Sequence, residues 1–382
     1  MKSKIVTTIL LMSTIIGISI FNFIHLSQTP PNETLTSSTK INTYFNENFV
    51  DKYSFINLYG GFQKLMGKNE VDNFDIVRDE QGKLHFQYFA KGPNDMSEIV
   101  KEMRDFNQHL SQYNMNLAFI LPPDKVIRGY TTFSEGLPYN YANEGADHFL
   151  SELSNLNIAS LDLRKGILES GIPASQLFFD TDHHWTPQAA FFGFTQVVSF
   201  LNETFDAKID PIYTQADQYE TVTYSNFFLG SQGRRTGDIY AGLDDFTVIK
   251  PIFDTFLTYE WNGRIDQGRF DETVLQTYWL SEDLGIETDR YLAYLSGNYG
   301  EVTITNHLNE EGLKVLMIKD SFMLPLAAFL STAVNEVKMI DLRYYEGPDM
   351  YRFVQTYQPD VVLVSASPVD LVPEFFDFYG GE

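Results

Sequence analysis

Five short apolar runs, at 117–121, 158–163, 314–318, 336–340 and 361–365, constrain this chain more than anything else in its sequence. Each is too short to be a buried helix and ends at a turn signal, as Pro122-Pro123 does after the first. Between them lie segments with helical spacing. Residues 97–113 place Ile99, Met103, Phe106 and Leu110 on one face, and 147–156, 322–331 and 349–357 read the same way. Thr186 caps and Pro187 opens a further helix running to about 201, after a strand expected at 176–179. Strand–helix alternation of this kind dictates an α/β fold, with a mainly parallel sheet covered on both faces.

Residues 203–310 break the rhythm. They are loop- and strand-rich, with aromatics such as Tyr213, Tyr224, Trp261 and Trp279, and are expected to form an insertion or subdomain over the sheet. Upstream, 44–94 reads as a small N-terminal segment, and 95–382 as the main domain carrying the insertion.

Lys2 and Lys4 precede an apolar run at 5–26, roughly the length that spans a ~30 Å hydrocarbon core. Residues 1–26 are therefore expected to be a membrane anchor or a signal sequence, with the positive end inside and the body outside. Residues 27–43, rich in Ser, Thr, Pro and Asn, read as a flexible tether. The expected location is membrane-anchored and extracytoplasmic, at the cell surface. The net charge of −24 disfavours a nucleic-acid partner, and the absence of cysteine removes disulfides, thiol nucleophiles and cysteine-ligated zinc.

Two places carry chemistry. The strand at 314–318 runs through Lys319-Asp320-Ser321 into a helix, a position where a serine can act as nucleophile and a helix end can steady an oxyanion; a helix cap is the plainer reading. The run Asp180-Thr181-Asp182-His183-His184-Trp185 offers two base–carboxylate pairs, Asp182 with His184 or Asp180 with His183. Asp180, Asp182, His183 and His184 would also suit zinc or manganese, the basis of an alternative reading as a metal-dependent phosphoesterase. One stretch rarely supplies more than two ligands and no second cluster stands out, so neither a metal nor a cofactor is expected. Asn298, Lys125, Arg343 and Ser365 are candidates for oxyanion or substrate contacts; turn, surface or ion-pair roles suit them too.

Asp182-His183-His184-Trp185-Thr186, Lys319-Asp320-Ser321-Phe322, Gly297-Asn298-Tyr299 and 357–365 together resemble the DHHW family, a relative of the alginate O-acetyltransferase branch of the SGNH hydrolases. The resemblance covers roughly residue 95 to the end. It shares that branch's permuted order, with Asp-x-His before the serine. It implies a flavodoxin-like sheet, Ser321 as nucleophile, His184 as base and Asp182 as its partner. It further implies O-acetyl transfer to a cell-surface polysaccharide, or ester hydrolysis, with a multi-spanning membrane acyltransferase as acyl source. Lys319 stands where the branch has glycine, and the oxyanion blocks of standard SGNH enzymes have no clear match. A non-catalytic glycan-binding or export-assembly protein is the alternative on the same scaffold.

Overall fold

The structure, a computed structural model, describes residues 2–28 and 37–379. The chain begins with α1 (Lys2–Gln28), α2 (Ser38–Asn48) and α3 (Lys52–Leu65), followed by a small meander of β1 (Glu70–Val71), β2 (Ile76–Arg78) and β3 (Leu84–Phe86). Then come α4 (Ser97–Ser111), β4 (Asn116–Leu121), α5 (Ala142–Asn155), β5 (Ala159–Asp162) and α6 (Pro187–Phe205). The middle region holds β6 (Tyr219–Phe228), α7 (Ser231–Thr236), α8 (Asp238–Ala241), β7 (Asp244–Pro251), β8 (Leu257–Trp261), β9 (Arg264–Gly268) and β10 (Glu301–Asn306). The chain closes with β11 (Lys314–Ile318), α9 (Met323–Leu330), β12 (Glu336–Ile340), α10 (Met350–Tyr357) and β13 (Val361–Ser365).

Eight strands form the main sheet in the order β5-β4-β13-β11-β12-β10-β8-β9. The first five are parallel to one another and the last three antiparallel. The pleat sends alternate residues to opposite faces. Phe119, Leu316, Ile318, Val362 and Val364 meet Met103, Phe106, Phe149 and Val354 of α4, α5 and α10 on one face. Ala118, Ile120, Val315, Met317 and Leu363 meet α6 and α9 on the other. Each fully buried Leu, Ile, Phe or Met contributes about 1.5–3 kcal/mol, which is why these near-continuous apolar strands were legible as strands. The expected α/β class, with helices on both faces, is borne out.

The middle region departs from expectation. It does not simply overlie the sheet: β10 pairs with β12 from Glu301↔Ile340 to Thr305↔Glu336, and β8 and β9 extend the sheet beyond it. Only the hairpin of β6 and β7 stands apart as its own two-stranded sheet. Residues 176–179 are not a strand either; a single bridge joins Phe178 to Trp185 around a tight loop. The expected tether falls partly outside the described residues, at 29–36, but its end is helical: Ser37 accepts from Lys40 N–H and caps α2. α1 covers the apolar run, and among the described residues no helix is long and apolar enough to cross a membrane.

The N-terminal segment packs onto the main domain. Asn57 Oδ1 accepts Ile239 N–H at 2.8 Å, Lys64 donates to Ile239 O at 2.8 Å, and Tyr53 donates to Asp238. Gly60 permits the approach, because a Cβ there would lie 1.8 Å from Thr236 O. Gly60→Ala should therefore force α3 off α7 and α8 and cost about 1–3 kcal/mol, the range for overpacking. Gly61→Ala, whose Cβ would meet only the side chain of Ile239 at 3.2 Å, should cost less. Urea unfolding of the two variants measures both; equal effects would mean that the helix contact at Gly60 is not tight.

Candidate active site

β11 leaves the sheet at Ile318, and Lys319 N–H continues its register onto Ile340 O at 2.9 Å. The next residue, Asp320, is buried and accepts the N–H groups of Phe322 at 3.0 Å and Ser367 at 2.6 Å. Those two bonds fix the turn between β11 and α9 and join it to the end of β13. Burial, then the neighbouring Asp370, pushes the Asp320 carboxyl well above the usual carboxylate range. Ser321 follows, two residues before α9, with its Oγ 2.7 Å from His184 Nε2.

His184 is held from three sides. Its Nδ1 lies 2.7 Å from Asp182 Oδ1, which also accepts His184 N–H at 3.0 Å. An ionised carboxylate only accepts, so Nδ1 carries the proton and Nε2 is left to accept from the Ser321 hydroxyl. The Tyr291 ring stacks on the imidazole, 3.9 Å between centroids and 8° from parallel. Trp185 turns away from this pair, and its indole N–H donates to Phe322 O at 2.9 Å, tying the motif to the serine turn.

Asp182 is 1% exposed, and its second oxygen accepts Ser231 N–H at 2.7 Å at the start of α7. Burial raises its pKa; the two adjacent histidines and the hydrogen bonds from His184 and Ser231 outweigh burial and hold it well below the usual range. Gly230 makes this approach possible, since a Cβ there would sit 2.1 Å from Asp182 Cβ. Asp244, first residue of β7, braces the same loop by accepting Asp180 N–H at 2.6 Å, Thr181 N–H at 2.9 Å and the Thr181 hydroxyl at 2.5 Å.

The other sequence candidates fall elsewhere. The Asp180–His183 pair does not form: Asp180 faces Lys83 with its side chain 55% exposed, while His183 Nδ1 lies 2.8 Å from Ser231 Oγ. Lys125 is a buried strut. Its ammonium donates to Leu84 O, Asp180 O at 3.1 Å, Asp182 O at 2.8 Å and Gln232 Oε1 at 3.2 Å. Burial and nearby Lys83 push it down to about 7. Arg343 forks onto Asp341 at 2.9 and 2.8 Å and lies over the Phe375 ring. Asn298 Oδ1 accepts from the buried Lys319 ammonium at 2.5 Å; the left-handed residues of its turn are Leu295, Ser296 and Gly297. Ser365 Oγ is buried with no partner among the described residues.

Asp182, His183 and His184 have ligand atoms within 4.8 Å of one another, the grouping a metal would use. Both ring nitrogens of His184 are already engaged, one by Asp182 and one by Ser321, so the donor set suits a serine relay better than a cation. Sequence reading missed Ser231, Asp244 and Tyr291. All three lie in the irregular middle region, where no periodicity marks them.

Residues 85–227, which include Asp182 and His184, match a family model described as the SGNH hydrolase-like domain of the acetyltransferase AlgX. The chain is similar to the SGNH hydrolase-like acetyltransferases. That bears out the resemblance read from the motifs. The fold is shared with PatB1 of Bacillus cereus, at 23% identity and a TM-score of 0.66 over 79% of this chain and 99% of that one. PatB1 carrying a sulfonyl adduct gives 22% and 0.64, over 79% and 97%. A DHHW family protein from Eubacterium siraeum gives 17% and 0.62, over 82% and 99%. No curated protein matches the sequence.

A buried histidine near the site gives a pH test. His85 Nε2 lies 2.8 Å from Asp79 Oδ2, yet burial pushes His85 down to about 4 from 6.5. The unfolded chain binds this proton first, so the His85 contribution is intact above pH 6.5 and is lost as the pH falls toward 4. Asp124, pushed up to about 6 by burial, acts in the opposite sense over part of that window. Comparison with His85→Gln isolates the histidine. The stability advantage of wild type over the variant should shrink between pH 7 and pH 5 in urea titrations. A constant or growing advantage would mean that His85 is charged in the fold.

Proposed function

We propose that the protein is a serine acyl-ester enzyme, an O-acetyltransferase or esterase acting on polysaccharide, with Ser321 as nucleophile, His184 as general base and Asp182 as the residue that orients and balances the imidazole. The observation that carries this reading is the continuous path from Ser321 Oγ to His184 Nε2 at 2.7 Å and from His184 Nδ1 to Asp182 Oδ1 at 2.7 Å. A serine hydroxyl is a weak nucleophile at neutral pH, and an imidazole in this tautomer removes its proton as the bond to carbon forms. Ser321 Oγ attacks the donor carbonyl, and His184 takes the proton and returns it to the departing donor group. A glycan hydroxyl then attacks the acyl-serine, giving its proton to His184, and Ser321 is restored. Ser321 N–H meets no acceptor among the described residues, which leaves it free to donate to the oxyanion.

Acetyl transfer is supported by the similarity to the acetyltransferase domain, and the polysaccharide acceptor by the resemblance carried by the Asp182–Thr186 and Lys319–Phe322 motifs. Placement outside the cell on an N-terminal anchor, with acyl groups supplied by a membrane acyltransferase, rests on the sequence: Lys2, Lys4 and the apolar run behind them.

A sulfonyl fluoride should label Ser321, located by peptide mass spectrometry, and Ser321→Ala should abolish the adduct. His184→Ala should slow labelling and ester turnover by about 10³-fold or more, and Asp182→Asn by up to about 10⁴-fold with the fold retained. His183→Ala should keep most activity. Labelling at another residue, or a dead His183→Ala beside an active His184→Ala, would overturn the assignment.

A further inference from the structure

A cavity of about 200 Å³ opens beside the Ser321–His184 pair. Its lining includes His183 and Phe322, the chain neighbours of that pair, with Phe86 and Gln87 from β3 and its continuation, and Asp124. Gln87 is 3% exposed, and neither its Nε2 nor its Oε1 has a partner among the described residues. Asp124 is similar: Oδ1 accepts Val126 N–H at 2.9 Å, while buried Oδ2 has no partner among the described residues. A buried polar group left without a partner costs about 1–3 kcal/mol. Gln87 and Asp124, which line this cavity, carry three such atoms between them, and mark a site whose partners arrive with a ligand.

The chemistry of the lining narrows that ligand. A carboxylate oxygen accepts, and a carboxamide both donates and accepts, which matches the hydroxyls of a sugar. Phe86, Tyr88 and Val369 provide apolar surface for the C–H face of a ring. Among the described residues of the lining no cation is left for an acid group. The Lys125 ammonium is already shared among three carbonyls and Gln232, and Arg235, beside Phe86, is bound to Asp72 and Asp75. Burial pushes both His85 and His183 down to about 4, so both are neutral at pH 7. Asp75 is paired with Arg235, so the charge that remains in the lining is Asp124, which repels anions. The volume is below the ~300–1,000 Å³ of sites for drug-sized ligands, so it holds one ring rather than several.

We propose that this cavity is the acceptor subsite and seats a single uncharged sugar ring of the polysaccharide, selected by Gln87 and Asp124 against uronate-type sugars. The proposal rests on the acyl-transfer reading of Ser321, and its test uses binding alone so that the two can fail separately.

Calorimetry on the full chain carrying Ser321→Ala compares tetramers of β-linked glucose, N-acetylglucosamine and galacturonate. At least one neutral tetramer should bind, and galacturonate at least tenfold more weakly. Gln87→Leu in the same background should weaken neutral binding at least tenfold, and Gln87→Glu, which keeps the size and adds a like charge beside Asp124, should do so too. Melting curves of both variants confirm that they fold. Uronate binding as tight as neutral binding, neutral binding unchanged in folded Gln87 variants, or no sugar bound at all with only water in the cavity, would each overturn the proposal. Failure of Ser321 labelling would instead overturn the serine mechanism and leave the binding result standing.

Discussion

The buried ammonium of Lys125 joins the parts of the molecule that make the site. It reaches the carbonyls of Leu84 in the N-terminal meander, of Asp180 and Asp182 in the histidine loop, and the side chain of Gln232 in α7. Taking a charge out of water is costly unless several acceptors replace the lost hydration, and four acceptors from three segments do so here. The arrangement works in both directions. The acceptors make the buried cation tolerable, and the cation fixes the backbone from which Asp182 and His184 project. Asp244 and Ser231 complete the same task by satisfying the N–H groups and the carboxylate of that loop. The histidine loop thus has little regular secondary structure and is still rigid, because its polar groups are accounted for one by one.

How much of this was legible depends on what kind of force places each part. The strands 314–318, 336–340 and 361–365 were found with correct limits, because burial on both faces writes itself into composition. The helix expected from residue 147 begins at Ala142, where Asn140 accepts Ala142 N–H and Asn143 donates to Val126 O in place of an apolar pattern. Strands β8 and β9 were read as part of an overlying insertion; they sit at the sheet's edge, where Glu260, Arg264 and Ile265 are exposed and the apolar signal is thin.

The site divides along the same line. Asp182, His184 and Ser321 stand in motifs that sequence can display. The residues that position them do so through backbone geometry and burial, which sequence does not display. Lys125 looks the same in a sequence whether it is solvated or buried, and Ser231 contributes its N–H, which every residue except proline possesses. Lys319 is instructive as a departure. Where the similar family has glycine, this chain buries an ammonium 3.2 Å from Asp341 and 2.5 Å from Asn298, so the serine turn here is held by an ion pair on its far side.

The docking of the N-terminal meander against the histidine loop has a consequence for how the protein can be divided. Lys83 donates to Ser175 O, Phe178 O and Asp180, and Leu84 N–H to Asp180 O at 2.8 Å. A fragment trimmed to the stretch that carries the motifs, starting near residue 95, would keep Ser321, His184 and Asp182 in its sequence. It would also leave Lys125 short of an acceptor and remove Phe86 and Gln87 from the lining of the cavity beside Ser321. The smallest self-sufficient unit of this protein is therefore larger than the stretch that carries its recognisable motifs.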